Sequence, residues 1–557
     1  MDASLQKLPD DVIALKEIVA QQRHLLDQKQ HTIDQGQQAL AQHQQEINQH
    51  QHTIDQHLTT LSTKQTLIER LEEQLRALVQ QRFGKHSEQH PGQAELQLFN
   101  EAELLQMEAT LAEPDPIAVP AHTRKRARSR QLPERLPRVE VVHDLSDAEK
   151  VCACGQTMSL IGHEVLEQLA VIPLQYYVIR HTRCKYACAC KACVRTAPMP
   201  KQPLPASQAS PGLLAQVMVA KYHDGLPLYR QEKMAAREGL ELPRAKLARW
   251  MIQASGVLQP LWNLLQDSFF SYDIAATDET GLQVLKEAGR EPDNKSYLWI
   301  RRGGPPDKPV VLVDYSPSRS GETAYGLLDD FRGYLICDAY PGYNKAIKAN
   351  QLVPVYCNDH ARRKFMEIIK SLGKSKHNTK GWVAAKAVAF YKHLYRIEKG
   401  IKSFKPEKRH EIRQVQAVPV WQAFLDWARE VQAMGIAHQA TREALAYLLN
   451  HAEGLKRYCD DGRLPISNIQ AEHVAKAIAV ARKNFLFADT PAGADASARI
   501  YSLLESAKAN HHHPQRYLSV LLSELPNVTA ITDIEALLPW CVTPEEVNRR
   551  YATYPAP

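Results

Sequence analysis

Every seventh residue from Val12 onward is apolar: Val12, Val19, Leu26, Ile33, Leu40, Ile47, Ile54, Leu61, Ile68 and Leu75. A heptad sustained this long exceeds what an isolated globular helix needs, and it implies a long helix whose stripe is covered by another helix. The second core position, three residues on, is apolar only at its ends (Leu15, Leu71, Leu78), while Gln22, Lys29, Gly36, His43, His50 and His57 lie between. The seam therefore predicts a coiled coil over residues 1–85, weak in its middle and of unspecified strand number, through which the chain forms a homo-oligomer. A helical hairpin broken near Gly36 is the alternative. His43, His50 and His57 read as polar seam residues of a Gln-rich spacer, with a pH switch as the sharper alternative.

The 557 residues are enough for several domains, and 44% hydrophobic content supplies material for their cores. No apolar run reaches the ~18 residues a spanning helix needs. The start, "MDASLQKLPDDVIALKE", lacks a basic-then-apolar leader. Together these predict a cytoplasmic protein with no membrane partner. The net charge of +7 suits a polyanionic partner. Pro114, Pro116 and Pro120 end the helical region, and "RKRARSR" follows from Arg124 to Arg130. Residues 86–140 read as a basic, Pro-rich linker in which Arg124, Lys125 and Arg126 can track phosphates.

Six of the ten cysteines fall between Cys152 and Cys193. Two close groups of thiols separated by a short span are how a chain builds a tetrahedral zinc site. Cys152 and Cys154 stand in "VCACGQ"; Cys184, Cys188, Cys190 and Cys193 stand in "RCKYACACKACVRT". The expected ligands are Cys152, Cys154, Cys188 and Cys193, with Cys190 or Cys184 as substitutes for Cys188. An all-thiolate set leaves no open position, so this Zn²⁺ is expected to be structural. The zinc ribbon-like module spans residues 141–205, and "EVLEQLAVIPLQYYVIRHTRCKYAC" reads as two strands within it. A helix-turn-helix follows within residues 206–270: one helix up to Ala236, a break at Gly239, and a second helix from about Pro243 carrying Arg244, Lys246 and Arg249 outward to DNA.

From Tyr272 the pattern changes to strands. "YDIAATDETGLQVL", "KSYLWIRR" and "PVVLVDY" form a meander; "GETAYGLLDDF" reads as a helix; "GYLICDAY" and "LVPVYC" read as strands, and "DHARRKFMEIIKS" as a helix. That order is the order of an RNase H-like α/β core, in which the first and fourth strands lie side by side, about 4.8 Å apart. Asp278 and Asp338 would then face one another. Two carboxylates that close repel unless cations lie between them, which is what a two-metal phosphoryl-transfer site provides. Asp314, on the edge strand of that order, is the weaker rival. A third carboxylate is expected from a packed helix, and Glu472 is the single acid of "SNIQAEHVAKAIAVARKNFLF".

"TDET", "CDAYPGYN", "CNDHARRKF", "DGRLPISNIQAEH" and "ARKNFLFA" together resemble the IS-sixty-six insertion-sequence transposases of TnpC type, and "QRFGKHSEQ", "ASPGLLAQ", "HDGLPLYRQE", "DYSPSRSGE" and "YSLLESAKAN" fall in that family's order. The resemblance covers nearly the whole chain. It implies a DDE transposase with Asp278, Asp338 and Glu472 as catalytic triad holding Mg²⁺ or Mn²⁺, DNA ends and target as partners, and separate accessory transposition proteins. Cys357 and His360 match a Cys-x-x-His motif, with His360 at the scissile phosphate or in the core. The sequence departs from the family pattern at Ser467, where an Asp is usual, and at His473, where an Arg is usual. The whole is expected to be a multidomain α+β protein, with the catalytic core over 271–370 and 462–500, a helical insertion over 371–461 and a C-terminal helical cap over 501–557. The alternatives are a DNA-binding regulator derived from a transposase and a resolvase or RNase H-like nuclease.

Overall fold

The computed structural model describes residues 12–83, 156, 175–187, 194–199, 201–371, 383–436 and 438–554. The N-terminal heptads form one helix, α1 (Val12–Phe83), of 72 residues. At 1.5 Å per residue it is about 110 Å long. It runs unbroken through Gly36, so the hairpin alternative is corrected. Seam residues Val19, Leu26, Ile33, Leu40, Ile47, Ile54 and Leu61 are between 49% and 71% exposed, so this chain alone leaves its stripe uncovered.

Cys152, Cys154, Cys188, Cys190 and Cys193 lie outside the described residues, as do Arg124, Lys125 and Arg126. The described part of the cysteine region is a short antiparallel hairpin, β1 (Lys185–Ala187) with β2 (Val194–Thr196), closed at Ala187↔Val194. Residues 175–184 carry no strand, so the expected strand reaching from this stretch to Cys184 does not form there.

Four helices follow: α2 (Pro211–Tyr222), α3 (Leu228–Arg237), α4 (Arg244–Val257) and α5 (Gln259–Phe270). Ser210 caps α2 by accepting from the Leu213 amide at 3.2 Å. The turn between α3 and α4 holds Gly239 at φ +75°, where a side chain would be strained. Helix α4 buries Leu247, Trp250, Met251 and Ala254 and exposes Arg244 and Arg249. Lys246, partly buried, donates to Gln208 Oε1 at 2.7 Å in an exposed hydrogen bond and lies over the Trp250 ring.

The strand-rich stretch gives β3 (Ile274–Gln283), β4 (Lys295–Gly303), β5 (Val310–Ser316), α6 (Gly321–Leu327), β6 (Tyr334–Cys337), α7 (Asn344–Ala349), β7 (Val353–Tyr356) and α8 (Asn358–Ser371). The sheet order is β5-β4-β3-β6-β7. The β3–β4 and β4–β5 pairs are antiparallel, and β3–β6 and β6–β7 are parallel. Gly333, at φ +111°, lets β6 start tight against the backbone of Asp273: a Cβ there would lie 2.2 Å from the Asp273 carbonyl oxygen.

The next helices are α9 (Val383–Ile401), α10 (Pro406–Ile412), α11 (Val418–Ala433), α12 (Gln439–Asn450) and α13 (Ala452–Lys456). They share a core with Ile336 of β6, Val355 of β7 and Phe365 of α8. The fully buried Arg413, in a π-helical turn between α10 and α11, is neutralised by two bonds to Glu398, at 2.9 and 2.7 Å. Its remaining donors reach the carbonyls of Tyr458 and Asp461.

The chain returns to the sheet through α14 (Ile469–Phe485) and α15 (Pro491–Ala509), then ends in α16 (Pro514–Glu524), α17 (Ile531–Glu535) and α18 (Pro544–Ala552). Helix α15 runs straight through the expected 500/501 boundary. It also closes the β5 edge. The amides of Val311 and Val313 donate to Ser506 Oγ and Ser502 Oγ at 2.9 and 2.8 Å. The same hydroxyls lie 2.9 and 3.3 Å from the carbonyls of Val311 and Val313. Two serines one helical turn apart thus stand in for a neighbouring strand.

Candidate active site

The parallel ladder between β3 and β6 pairs Ile274, Ala275 and Ala276 with Tyr334, Leu335 and Ile336. Continued by two residues on each side, this register sets Asp278 beside Asp338. The apolar run of β6 ends at the fully buried Cys337, and Asp338 is the first residue of the turn, half-buried, accepting the Tyr340 amide at 3.2 Å. Asp338 therefore follows the strand directly, and its charge is among those that raise the Asp278 pKa.

Glu472 comes from the first turn of α14, which packs against β3. Asn468, the residue before the helix, donates from Nδ2 to the Thr277 carbonyl at 2.8 Å, tying the start of α14 to the strand position next to Asp278. The side chain of Glu472 accepts from the Cys357 thiol at 3.0 Å, and its Oε2 lies 3.4 Å from an Arg363 guanidinium nitrogen. Cys357 Sγ in turn accepts the Asn468 amide at 3.2 Å. His360 Nδ1 lies 3.3 Å from Glu472 Oε1 but outside hydrogen-bonding geometry, and this buried nitrogen has no hydrogen-bond partner.

The electrostatics follow from this crowding. Burial, then the charges of Glu279, Glu472 and Asp338, pushes the Asp278 carboxyl up to about 8 against the opposing pull of His360. Burial also opposes ionisation of Glu472, but His360, the Cys357 thiol and Arg363 outweigh it and hold the group down at about 2. His360 is desolvated, which favours its neutral form, yet Glu472 raises its pKa on balance. The site thus has one carboxylate kept ionised by its neighbours and one that cannot ionise readily without a cation.

Asp314 does not join this group. It sits on the edge strand β5 in a two-pronged ion pair with Arg301, at 2.9 and 3.0 Å. Glu279 is a neighbour that pattern reading missed. Simple alternation turns it away from Asp278, and its deep burial is compensated by Arg319 and by the Tyr343 hydroxyl at 2.7 Å. Arg319 stacks over Tyr340, 3.9 Å from its ring centre, joining β3, the α6 approach and the Asp338 turn. The signal available in the sequence was the adjacent acid in "TDET"; nothing local identified its partners 40 and 64 residues away. Ser467 is buried just before α14, and His473 is exposed on it.

Among the described residues, no helix is long and apolar enough to cross a membrane. A family model described as "Transposase IS66 family" matches residues 206–496. Models described as "IS66 C-terminal element" and "zinc-finger binding domain of transposase IS66" match residues 502–540 and 149–191. The zinc-finger span includes Cys152, Cys154, Cys184, Cys188 and Cys190 and stops short of Cys193. A model described as "Transposase C of IS166 homeodomain" matches residues 70–141. Protein y4jD of Sinorhizobium fredii (strain NBRC 101917 / NGR234) is 30% identical over 432 residues, which cover 75% of this chain and 83% of that protein. Protein y4hP of the same organism is 29% identical over 440 residues, covering 76% and 78% of the two chains.

Proposed function

Because this chain belongs to the IS66 family of transposases, we propose that it binds the ends of an insertion sequence and catalyses metal-dependent DNA cleavage and strand transfer. In this reading the five-stranded sheet is an RNase H-like core, and Asp278, Asp338 and Glu472 are the catalytic triad. The observation that supports it is the parallel β3–β6 register, which would bring Asp278 and Asp338 level two residues beyond its last pair, together with the charges of Glu472 and Asp338 that raise the Asp278 pKa. The donor set fits Mg²⁺ or Mn²⁺: hard carboxylate oxygens, one of them, on Asp278, strongly disfavouring charge in the absence of a cation. When bound, such ions supply Lewis-acid activation of water and then of a 3′-hydroxyl.

The chain's own residues supply the rest. His360, Cys357 and Arg363 hold Glu472 ionised, and the Asn468 tether fixes the start of its helix. The Arg319–Glu279–Tyr343 cluster braces the strand bearing Asp278. Arg244 and Arg249, exposed on α4, would contact DNA phosphates. The zinc-finger module would hold structural Zn²⁺ through Cys152 and Cys154 with two of the later cysteines, and the basic segment at Arg124–Arg130 would add phosphate contacts. The seam of α1 would pair chains as a coiled coil.

Replacing Asp338 tests the reading. Asp338→Asn should abolish strand cleavage while leaving DNA-end binding near that of the unaltered protein, because the group supplies ligand charge and no DNA contact. Gel-based cleavage and binding assays on one labelled end measure both. Retained cleavage would exclude the triad, and parallel loss of binding would assign Asp338 a folding role.

A further inference from the structure

We propose that Cys357, His360 and Glu472 form a second, thiophilic metal site of the zinc class that overlaps the third acid of the sheet. One ligand atom from each of the three side chains lies within 4.8 Å of the others. The thiol sulfur and the His360 Nδ1 nitrogen stand 3.0 and 3.3 Å from the same carboxylate oxygen. Tetrahedral zinc with bonds of about 2.0–2.3 Å spaces its ligand atoms about 3.3–3.8 Å apart, so small side-chain adjustments suffice. The mixed thiolate, imidazole and carboxylate donors select zinc, cadmium or cobalt over magnesium.

A second observation points to a ligand. His360 Nδ1 is buried, faces Glu472 and makes no hydrogen bond. Its one close partner is Glu472 Oε1 at 3.3 Å, in an ion pair without hydrogen-bond alignment, and an ion bridging the two would satisfy a buried nitrogen that no hydrogen bond satisfies. Metal entry deprotonates the thiol: the Cys357 S–H bond breaks, a metal–sulfur bond forms and one proton leaves to solvent. The thiol's bond to Glu472 is lost in exchange for a shared ion. The backbone amide of Asn468 continues to donate to the sulfur, which favours the thiolate.

The site places two ion chemistries in competition for one carboxylate. Glu472 turned toward the thiol serves a soft ion; Glu472 turned toward Asp278 and Asp338 serves a hard one. The binding itself stands on the geometry alone, while its effect on cleavage rests on the proposed function. A thiophilic ion is then an inhibitor of the Mg²⁺-dependent reaction, acting through residues outside the cysteine-rich segment at 149–191.

Equilibrium dialysis of the full chain with Cd²⁺, and Co²⁺ titration followed through the thiolate-to-cobalt charge-transfer band, test the site. Cys357→Ser should lose one bound equivalent relative to the unaltered chain, and His360→Gln should weaken that same equivalent. Cys541→Ser, at an exposed thiol elsewhere, should lose none. Circular dichroism confirms that each variant is folded, and the half-buried His360 gives a second route should Cys357→Ser not fold. Equal stoichiometry and affinity in the unaltered chain, Cys357→Ser and His360→Gln would overturn the proposal. Zn²⁺ should inhibit Mg²⁺-dependent cleavage by the unaltered chain, with His360→Gln shifted to higher Zn²⁺. An equivalent lost with Cys357 but without any inhibition would support the metal site and count against Glu472 as a ligand of the catalytic ion.

Discussion

Asp278 shows how one side chain can hold a fold and its chemistry in opposition. Its carboxyl titrates at about 8 in the folded chain against an ordinary 3.8. The folded state therefore keeps a proton that the unfolded chain releases. That contribution to stability is complete below the ordinary value and is lost progressively as pH rises from there through about 8. Each pH unit of such displacement corresponds to about 1.4 kcal/mol, so the charged form is disfavoured by a few kcal/mol. Asp278→Asn should accordingly raise the metal-free melting temperature most at about pH 8.5, by a smaller amount at about pH 5, and least below the ordinary value. Added Mg²⁺ should stabilise the unaltered protein at the higher pH and leave the variant unmoved. Differential scanning calorimetry reads both, and equal melting of the two proteins at both pH values would refute the burial and charge repulsion assigned to Asp278. The three candidate acids each stand out against a local pattern: Asp278 lies inside an apolar and small-residue stretch, Asp338 follows the apolar run that ends at Cys337, and Glu472 is alone in its helix. The thiol beside Glu472 was not legible as its neighbour, since 115 residues separate them and only the packing of α8 against the return of the chain joins them. Likewise, Glu279 gave no local sign of Arg319, 40 residues away.

At the scale of elements, helices and strands followed from periodicity wherever one face is buried. The sheet order followed from the meander–helix–strand–strand sequence, since parallel neighbours require crossovers and short turns permit only antiparallel ones. What periodicity could not show is what α15 does. Its serines read as ordinary helix residues, and their role appears only when Val311 and Val313 arrive beside them. For α1 the pattern fixes the helix, and the exposed seam fixes what it lacks. Deleting residues 1–80 should convert the protein to a monomer or a smaller oligomer, because the stripe from Val12 to Leu75 is removed. Multi-angle light scattering checks this; an unchanged number of chains per particle would place assembly elsewhere.

For the molecule as a whole, the sheet lies between two cores. One joins it to α2–α5 and α15–α16, and the other joins β6 and β7 to the inserted helices. The proposed chemistry is thus built on elements separate from the cysteine-rich module. Changing Cys152 and Cys154 together to Ser should release zinc and weaken binding of an intact DNA end, while reaction on a pre-nicked end survives better. Elemental analysis and paired assays on the two substrates check it; full zinc content in the double variant would rule out those two thiols as ligands. The serine-sealed edge has a consequence in the making of the chain. Val313 and Val311 leave the ribosome 189 and 195 residues ahead of the hydroxyls that cover them. At bacterial and eukaryotic rates of synthesis that interval is about 10–40 s. Throughout it the nascent sheet carries an open flank able to pair with any other strand, so the yield of correctly folded protein depends on the pace of translation and on whatever shields the emerging chain until Ser502 and Ser506 appear.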